Sequence, residues 1–233
     1  MSLSNKIVLT ILVFVFTLIA VGAFAYSRWL HPTGEIMAGI YAIRNDRNNG
    51  RPFLNFFLME TADGYIVFDT GFQSGQTRQA LDKLGISPSD VLAVFITHSH
   101  LTNIMSLHLF ENATVYLWDS TFPHSSDILI RPSSRVVPTL PFHELRDGEI
   151  IEYGDRKILA IHTPGHTSDS VSFLVDDRYL FAGDLFASTN HARYDRSLQI
   201  QQQQQVLEIE SIEYVFTGHF GLFKIAGFFR WRF

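Results

Sequence analysis

The sequence contains no cysteine, so it can form neither disulfides nor thiolate metal sites. That absence is neutral about compartment, because a secreted domain of this size can fold on its core alone. No block of basic residues occurs anywhere in the 233 residues, and the formal net charge is -5. The electrostatic footprint of a nucleic-acid-binding chain is therefore missing. Strongly anionic substrates are disfavoured unless one pocket differs locally. No internal repeat is visible either. The length allows one sizeable domain with a full core and falls short of two of ordinary size.

Apolar residues are concentrated at the N-terminus. Ile7 to Tyr26 carries no charge over about twenty residues, the length needed to cross a bilayer. Lys6 precedes this stretch and Arg28 follows it, so the flanking charges do not set its orientation. Ala23-Phe24-Ala25 matches the small-x-small cleavage pattern, which leaves two alternatives, an uncleaved anchor (favoured on length) and a signal peptide cut near Ala25. The division is a flank over 1–6, an anchor or signal over 7–26, a linker over 27–35 containing His31-Pro32, and one domain over 36–233. In a eukaryote either alternative sends the chain into the secretory route, as a single-pass membrane protein or as a secreted one. Asn112-Ala113-Thr114 is then a usable glycosylation sequon.

Within the domain, short apolar runs separated by turn signals predict strands over 36–43, 53–60, 65–68, 91–96, 114–118, 157–162, 171–175, 179–182 and 214–217. Asp63-Gly64 predicts a hairpin turn. Helical spacing runs from Gln76 to Leu84 with Gly85 as its C-cap. The glutamine tract in 199–207 reads as the exposed part of a second helix ending near Glu210. The closing GLFKIAGFFRWRF is aromatic and basic, and reads as a terminal element packed on the core, with contact to a membrane surface as the alternative. The pattern is two sheets covered by helices.

Four polar signals each follow an apolar strand: Thr97-His98-Ser99-His100, Thr163-Pro164-Gly165-His166, Ala182-Gly183-Asp184 and Thr217-Gly218-His219. Ligands on loops at one end of a rigid sheet are a common way to build a metal site. Imidazoles and a carboxylate without thiols suit zinc or another borderline divalent ion. A lone histidine at a strand end is more often structural, and a Gly-Asp is more often a turn; the ordered set of four is what points to metal. His124 and His143 read as surface residues and His162 as structural.

With Asp69-Thr70-Gly71, THSH, TPGHT at 163–167, AGDLF at 182–186 and TGHFG at 217–221 in this order, the stretch from Gly39 to Gly221 resembles the metallo-β-lactamase superfamily. Within it, HLTNIMSLHLF looks most like the subgroup of the metallo-β-lactamase-domain-containing protein 1. The resemblance implies an α+β fold, a four-layer αββα sandwich with the metal site at one edge. It implies His98, His100 and His166 as ligands of a first metal, Asp184 as a bridge to a second, and His219 as a ligand of that second ion. Asp69 and Asn103 would lie behind the ligands, where such partners orient imidazoles. His191 and Asp195 would lie on a loop that contacts substrate.

The family pattern His-x-His-x-Asp-His departs here at Thr102 and Asn103. Neither is a strong ligand, so the second site keeps only Asp184 and His219. Three histidines with an open position still suffice to bind zinc and lower the pKa of its water to about 7, so one zinc per chain is expected rather than two. Thr102 stands at the catalytic position and cannot serve as a base near neutral pH; Asp184 could take over that role, or His108 could approach. The expected function is metal-dependent hydrolysis of an ester, lactone, thioester, amide or phosphodiester by a membrane-associated enzyme with altered activity. The alternative is an inactive pseudo-hydrolase that binds a ligand or a protein partner. RNA cleavage, to which the subgroup has been linked, is a minor alternative that the acidic balance disfavours.

Overall fold

A computed structural model of the chain describes residues 30–50, 52–118, 140–187 and 194–225. The apolar segment at 7–26, His124 and His191 lie outside the described residues. Among the described residues, no helix is long and apolar enough to cross a membrane.

The first sheet holds β1 (Gly34–Met37), β2 (Ile40–Asp46), β3 (Pro52–Thr61), β4 (Gly64–Phe68), β5 (Val91–Phe95), β6 (Thr114–Leu117) and β7 (Phe142–Glu144), side by side in chain order. The strands β1 to β4 run antiparallel through hairpins, and β4 to β7 run parallel. Parallel neighbours need crossovers. The helix α1 (Ser74–Leu84) supplies the one between β4 and β5, and the single turn α2 (Leu101–Ile104) lies in the next. The second sheet holds β8 (Ile150–Tyr153), β9 (Arg156–His162), β10 (Val171–Val175), β11 (Tyr179–Phe181), β12 (Tyr214–Thr217) and β13 (Gly221–Lys224), again in chain order across the sheet. Its one parallel pair, β11 with β12, is bridged by α3 (Arg196–Leu207).

Alternation along the strands divides the apolar side chains into three layers of contact. On β3, Leu54, Phe56 and Leu58 face outward and pack with Ala80 and Leu81 of α1. Phe57 and Met59 of the same strand face inward and join Phe68 and Phe95 against Phe173, Phe181 and Phe216 of the second sheet. The other side of the second sheet presents Leu174, Leu180 and Val215 to Val206 of α3. Helix, sheet, sheet and helix are thus held by three apolar seams, which gives the expected αββα sandwich. The central seam is aromatic: Phe68 stacks on Phe181 with ring centroids 3.8 Å apart, and Phe181 on Phe216 at 4.5 Å. Each such ring, fully buried, stabilises the fold by about 1.5–3 kcal/mol relative to exposure.

Several local expectations need correction. The run 36–43 is not one strand, because the chain turns at Ala38-Gly39 and Met37 pairs with Ile40. His108 lies in a separate 3-10 turn, Leu107–Leu109, since α2 stops at Ile104. Three further strands of three or four residues, β7, β8 and β13, were not expected. The glutamine tract is not simply an exposed helix face: α3 starts at Arg196, and Gln199 is 1% exposed.

Candidate metal centre

Sheet register brings the polar signals to one edge of the sandwich. Phe68 on β4 is level with Phe95 on its parallel neighbour β5, so Asp69 and Thr97 leave the sheet together. Phe181 on β11 is level with Phe216 on β12, and three residues beyond that pair stand Asp184 and His219. The fourth loop, after β9, is clipped to the first: the amide of Val171 donates to the Thr97 carbonyl (2.8 Å), and the Ser99 amide donates to Asp169 Oδ2 (3.0 Å).

At this edge His98, His100, His166 and Asp184 turn ligand atoms toward one point, all within 4.8 Å of one another. His98 Nε2 lies 3.0 Å from His100 Nδ1, and His166 Nε2 lies 3.2 Å from the same atom. Asp184 Oδ2 lies 3.3 Å from His166 Nε2 and 3.7 Å from His98 Nε2. Four ligands around one tetrahedral zinc at about 2.0–2.1 Å would stand about 3.3 Å apart, so the spacing fits a single ion. The imidazole planes cross at 79°, 85° and 87°, as ligands converging from different directions do. His98, His166 and Asp184 are buried and His100 is half-buried, which matches a donor set that needs a cation to offset its desolvation.

The groups behind the quartet fix its chemistry. Thr97 Oγ1 donates to Asp69 Oδ2 at 2.7 Å, and its backbone amide donates to Asp69 Oδ1 at 2.9 Å. When Asp69 is ionised and takes the Thr97 proton, the Thr97 hydroxyl is free to accept from His98 Nδ1 at 3.1 Å, which leaves the lone pair of His98 on Nε2. Burial pushes the Asp69 carboxyl up to about 8; the two Thr97 hydrogen bonds oppose that rise, and the charge of Asp184 adds to it. A β-carbon on Gly183 would lie 2.5 Å from Thr97 Oγ1, so only glycine lets the Asp184 loop pass this close to the relay.

His219 sits differently. Its Nδ1 lies 2.9 Å from the Phe53 carbonyl, which can only accept, so the proton is on Nδ1. Nε2 then faces Asp184 Oδ2 at 3.5 Å. Asn103 is buried on α2, with its side-chain nitrogen 3.0 and 3.1 Å from the two ring nitrogens of His98. Its amide thus lies across the His98 ring and touches Nε2, the atom that faces the other ligands, as well as Nδ1. Thr102 is half-buried on the same turn. Asp195 is exposed and caps α3 by accepting from the Leu198 amide at 2.9 Å. His108 is half-buried, His143 pairs with Glu149 on the surface, and His162 stacks on Trp118 with ring centroids 3.7 Å apart. Asp169 and Gln199 were missed. Asp169 is signalled only by its place in the TPGHTSDS stretch, and Gln199 by nothing local.

Residues 50–219 match the model of the metallo-beta-lactamase superfamily. The acyl-coenzyme A thioesterase MBLAC2 of Homo sapiens is 27% identical over 215 residues, covering 76% of this chain and 76% of that protein. Metallo-beta-lactamase domain-containing protein 1 of Xenopus laevis is 32% identical over 116 residues, covering 46% of this chain and 43% of that protein. Among solved structures, a metallo-beta-lactamase family protein of Thermus thermophilus superposes with a TM-score of 0.64 at 20% identity, over 82% of this chain and 76% of that one. At that identity the likeness speaks for the fold alone.

Proposed function

Because the chain belongs to the metallo-beta-lactamase superfamily, we propose that it is a hydrolase that uses one zinc ion and cleaves a small acyl compound, with thioesters the first class to assay. The observation that carries this reading is the quartet of His98, His100, His166 and Asp184, spaced as the corners of one tetrahedral site. Zinc is favoured over harder ions because imidazoles dominate the set. Thioesters come from the acyl-coenzyme A thioesterase among the relatives. The acidic balance of the chain disfavours a nucleic-acid substrate.

Bound there, zinc would supply Lewis acidity and an activated water. The chain's own residues do the rest. His98 is held with its lone pair on Nε2 by Thr97 and Asp69. Asp184 would hold the ion through Oδ2, which leaves the role of proton carrier to His219. The anchored Nδ1–H of His219 leaves Nε2 as the only atom where a proton is taken up or released. Such a group contributes about 10²–10⁴-fold to a hydrolytic step.

The membrane part of the reading rests on the apolar stretch 7–26. The chain enters the domain at buried Leu30, and His31 is tied both ways to Asn55, its amide donating (2.8 Å) and its carbonyl accepting (2.9 Å). The backbone N–H of Asn55 in turn donates to the Gly218 carbonyl beside His219 (2.8 Å). An anchor over 7–26 would therefore hold the site close to the bilayer, where long-chain acyl substrates partition.

The test is zinc content and hydrolysis of acyl-coenzyme A, acyl-pantetheine and simple esters by purified protein, with His219→Ala beside the native chain. One zinc in both proteins, with turnover falling about 10²–10⁴-fold in the variant, is the expected result. Loss of zinc from His219→Ala would make His219 a ligand and overturn its role as proton carrier. A fully loaded native protein that turns over none of these substrates supports the other reading, a ligand-binding pseudo-hydrolase, which the threonine at 102 favours.

A further inference from the structure

We infer that Gln199, with Tyr194 bonded to its far end, is a strut that sets the distance between His166 and Asp184 and so governs how tightly the site holds its ion. This rests on the single-ion reading above.

Gln199 lies in the first part of α3 with 1% of its surface exposed. Its side-chain nitrogen donates to the carbonyl of Asp184 at 3.0 Å and to that of Ala187 at 3.1 Å. Its side-chain oxygen accepts from the Tyr194 hydroxyl. The amide is thus occupied at both ends, and both of its acceptors belong to the loop that carries Asp184. One turn further along, Gln203 donates to Leu185 O of the same loop at 2.7 Å.

The backbone of Gln199 meets the other ligand loop. A β-carbon on Gly165 would lie 2.5 Å from the Gln199 amide nitrogen, so α3 and the residue preceding His166 are in direct contact. Asp195 N donates to the Gly165 carbonyl at 2.8 Å, and the Tyr194 ring meets the His166 ring edge-on at 6.3 Å. One residue therefore bears on both loops that supply His166 Nε2 and Asp184 Oδ2, which stand 3.3 Å apart. Packing alone would not call for this. Val206 on the same helix meets the second sheet with an apolar side chain, whereas position 199 presents two donors to carbonyls of a metal loop. Hydrogen bonds that orient ligands from behind affect metal affinity by about 10–100-fold.

Gln199→Met keeps length and volume and removes both donors. The experiment is chelator competition for zinc, with the visible spectrum of the cobalt(II) form as a report of ligand geometry. Zinc affinity is expected to fall about 10–100-fold, with an altered cobalt(II) spectrum, while Gln204→Met on the exposed side of α3 behaves as the native chain. A lower unfolding temperature with native affinity and a native spectrum would reduce Gln199 to a packing residue and overturn the inference. Should Gln199→Met fail to fold, Tyr194→Phe decides: a smaller loss of affinity supports the strut, and native affinity removes it. A native chain that takes up no ion overturns both this inference and the single-ion reading. One that loads zinc but hydrolyses nothing overturns the catalytic reading only.

Discussion

The two halves of Thr97 to Asn103 meet the same pocket with opposite equipment. The first half supplies His98 and His100, and every group behind them serves ligation: Asp69 and Thr97 set the tautomer of His98, and Asp169 receives the Ser99 amide. The second half turns into α2 and brings Thr102 and Asn103, whose amide contacts the ring of His98. His219, the group left to pair with that half, is tied through Nδ1 to the Phe53 carbonyl and faces Asp184 at 3.5 Å. A cation needs several strong donors at bonding distance to repay its dehydration. The first half, joined by His166 and Asp184 from other loops, faces a set of four candidate donors, whereas beside the second half stand one imidazole and a carboxylate already shared. The contrast teaches that a departure at Thr102 and Asn103 need not loosen the quartet, because the two parts rest on different supports.

The most damaging change to the stronger half is His98→Ala combined with His166→Ala. Two of the three imidazoles go, and zinc should drop from near one per chain to none, read by elemental analysis on protein whose circular dichroism remains native. Retention of stoichiometric zinc in the double variant would place the ion elsewhere. The converse change rebuilds the weaker half. Thr102→Asp with Asn103→His places a carboxylate and an imidazole on α2, where position 103 already touches His98, and zinc should rise from one toward two per chain. A count that stays at one would mean that the backbone of α2, held by Thr70 on the Asn103 carbonyl at 2.6 and 2.7 Å, no longer presents that position to a second ion.

The candidate ligands were legible in the sequence because they follow strands whose apolar runs are unambiguous, as with Val91–Phe95 before THSH and Tyr179–Phe181 before Ala182-Gly183-Asp184. The sandwich was legible for the same reason: strands buried on both faces, such as Val171–Val175, read as unbroken apolar runs. What stayed hidden depends on partners distant in the chain. Gln199 lies in a tract of like residues on a helix with little amphipathic pattern, and its burial is decided by carbonyls 12 and 15 positions earlier. Asp195, expected on a substrate-contacting loop, has a further role that its local sequence does not announce, as the cap of α3. The hairpin at Ala38-Gly39 was missed because Ile36 to Ile43 is apolar enough on both sides of the turn to pass for one strand.

The finest test of the contrast lies in the support of His98. In Asp69→Asn, the oxygen stays opposite the Thr97 amide, so the new NH₂ replaces Oδ2 and donates to Thr97 Oγ1 across 2.7 Å. The Thr97 hydroxyl must then give its proton to His98 Nδ1, 3.1 Å away, which moves the imidazole proton to Nε2 and blocks ligation. Zinc affinity should fall by about 10–100-fold at slightly alkaline pH. Protonating Asp69 presents the same wrong donor, and burial holds its carboxyl up at about 8 in the metal-free chain. Binding must therefore expel that proton, so native affinity climbs as pH rises toward about 8, more steeply than in a chain whose position 69 has no such proton to lose. In Asp69→Asn this added slope disappears, and the native and variant affinities converge as pH is lowered. The sign for stability is opposite. A carboxyl whose folded pKa is raised from 3.8 to about 8 favours the metal-free fold fully below about 4, and that contribution is lost as pH rises through about 8. Unfolding of the metal-free protein should thus show a decline over this window that the asparagine variant lacks. Parallel pH profiles for the two proteins, in affinity and in unfolding alike, would show that Asp69 takes no part in orienting His98.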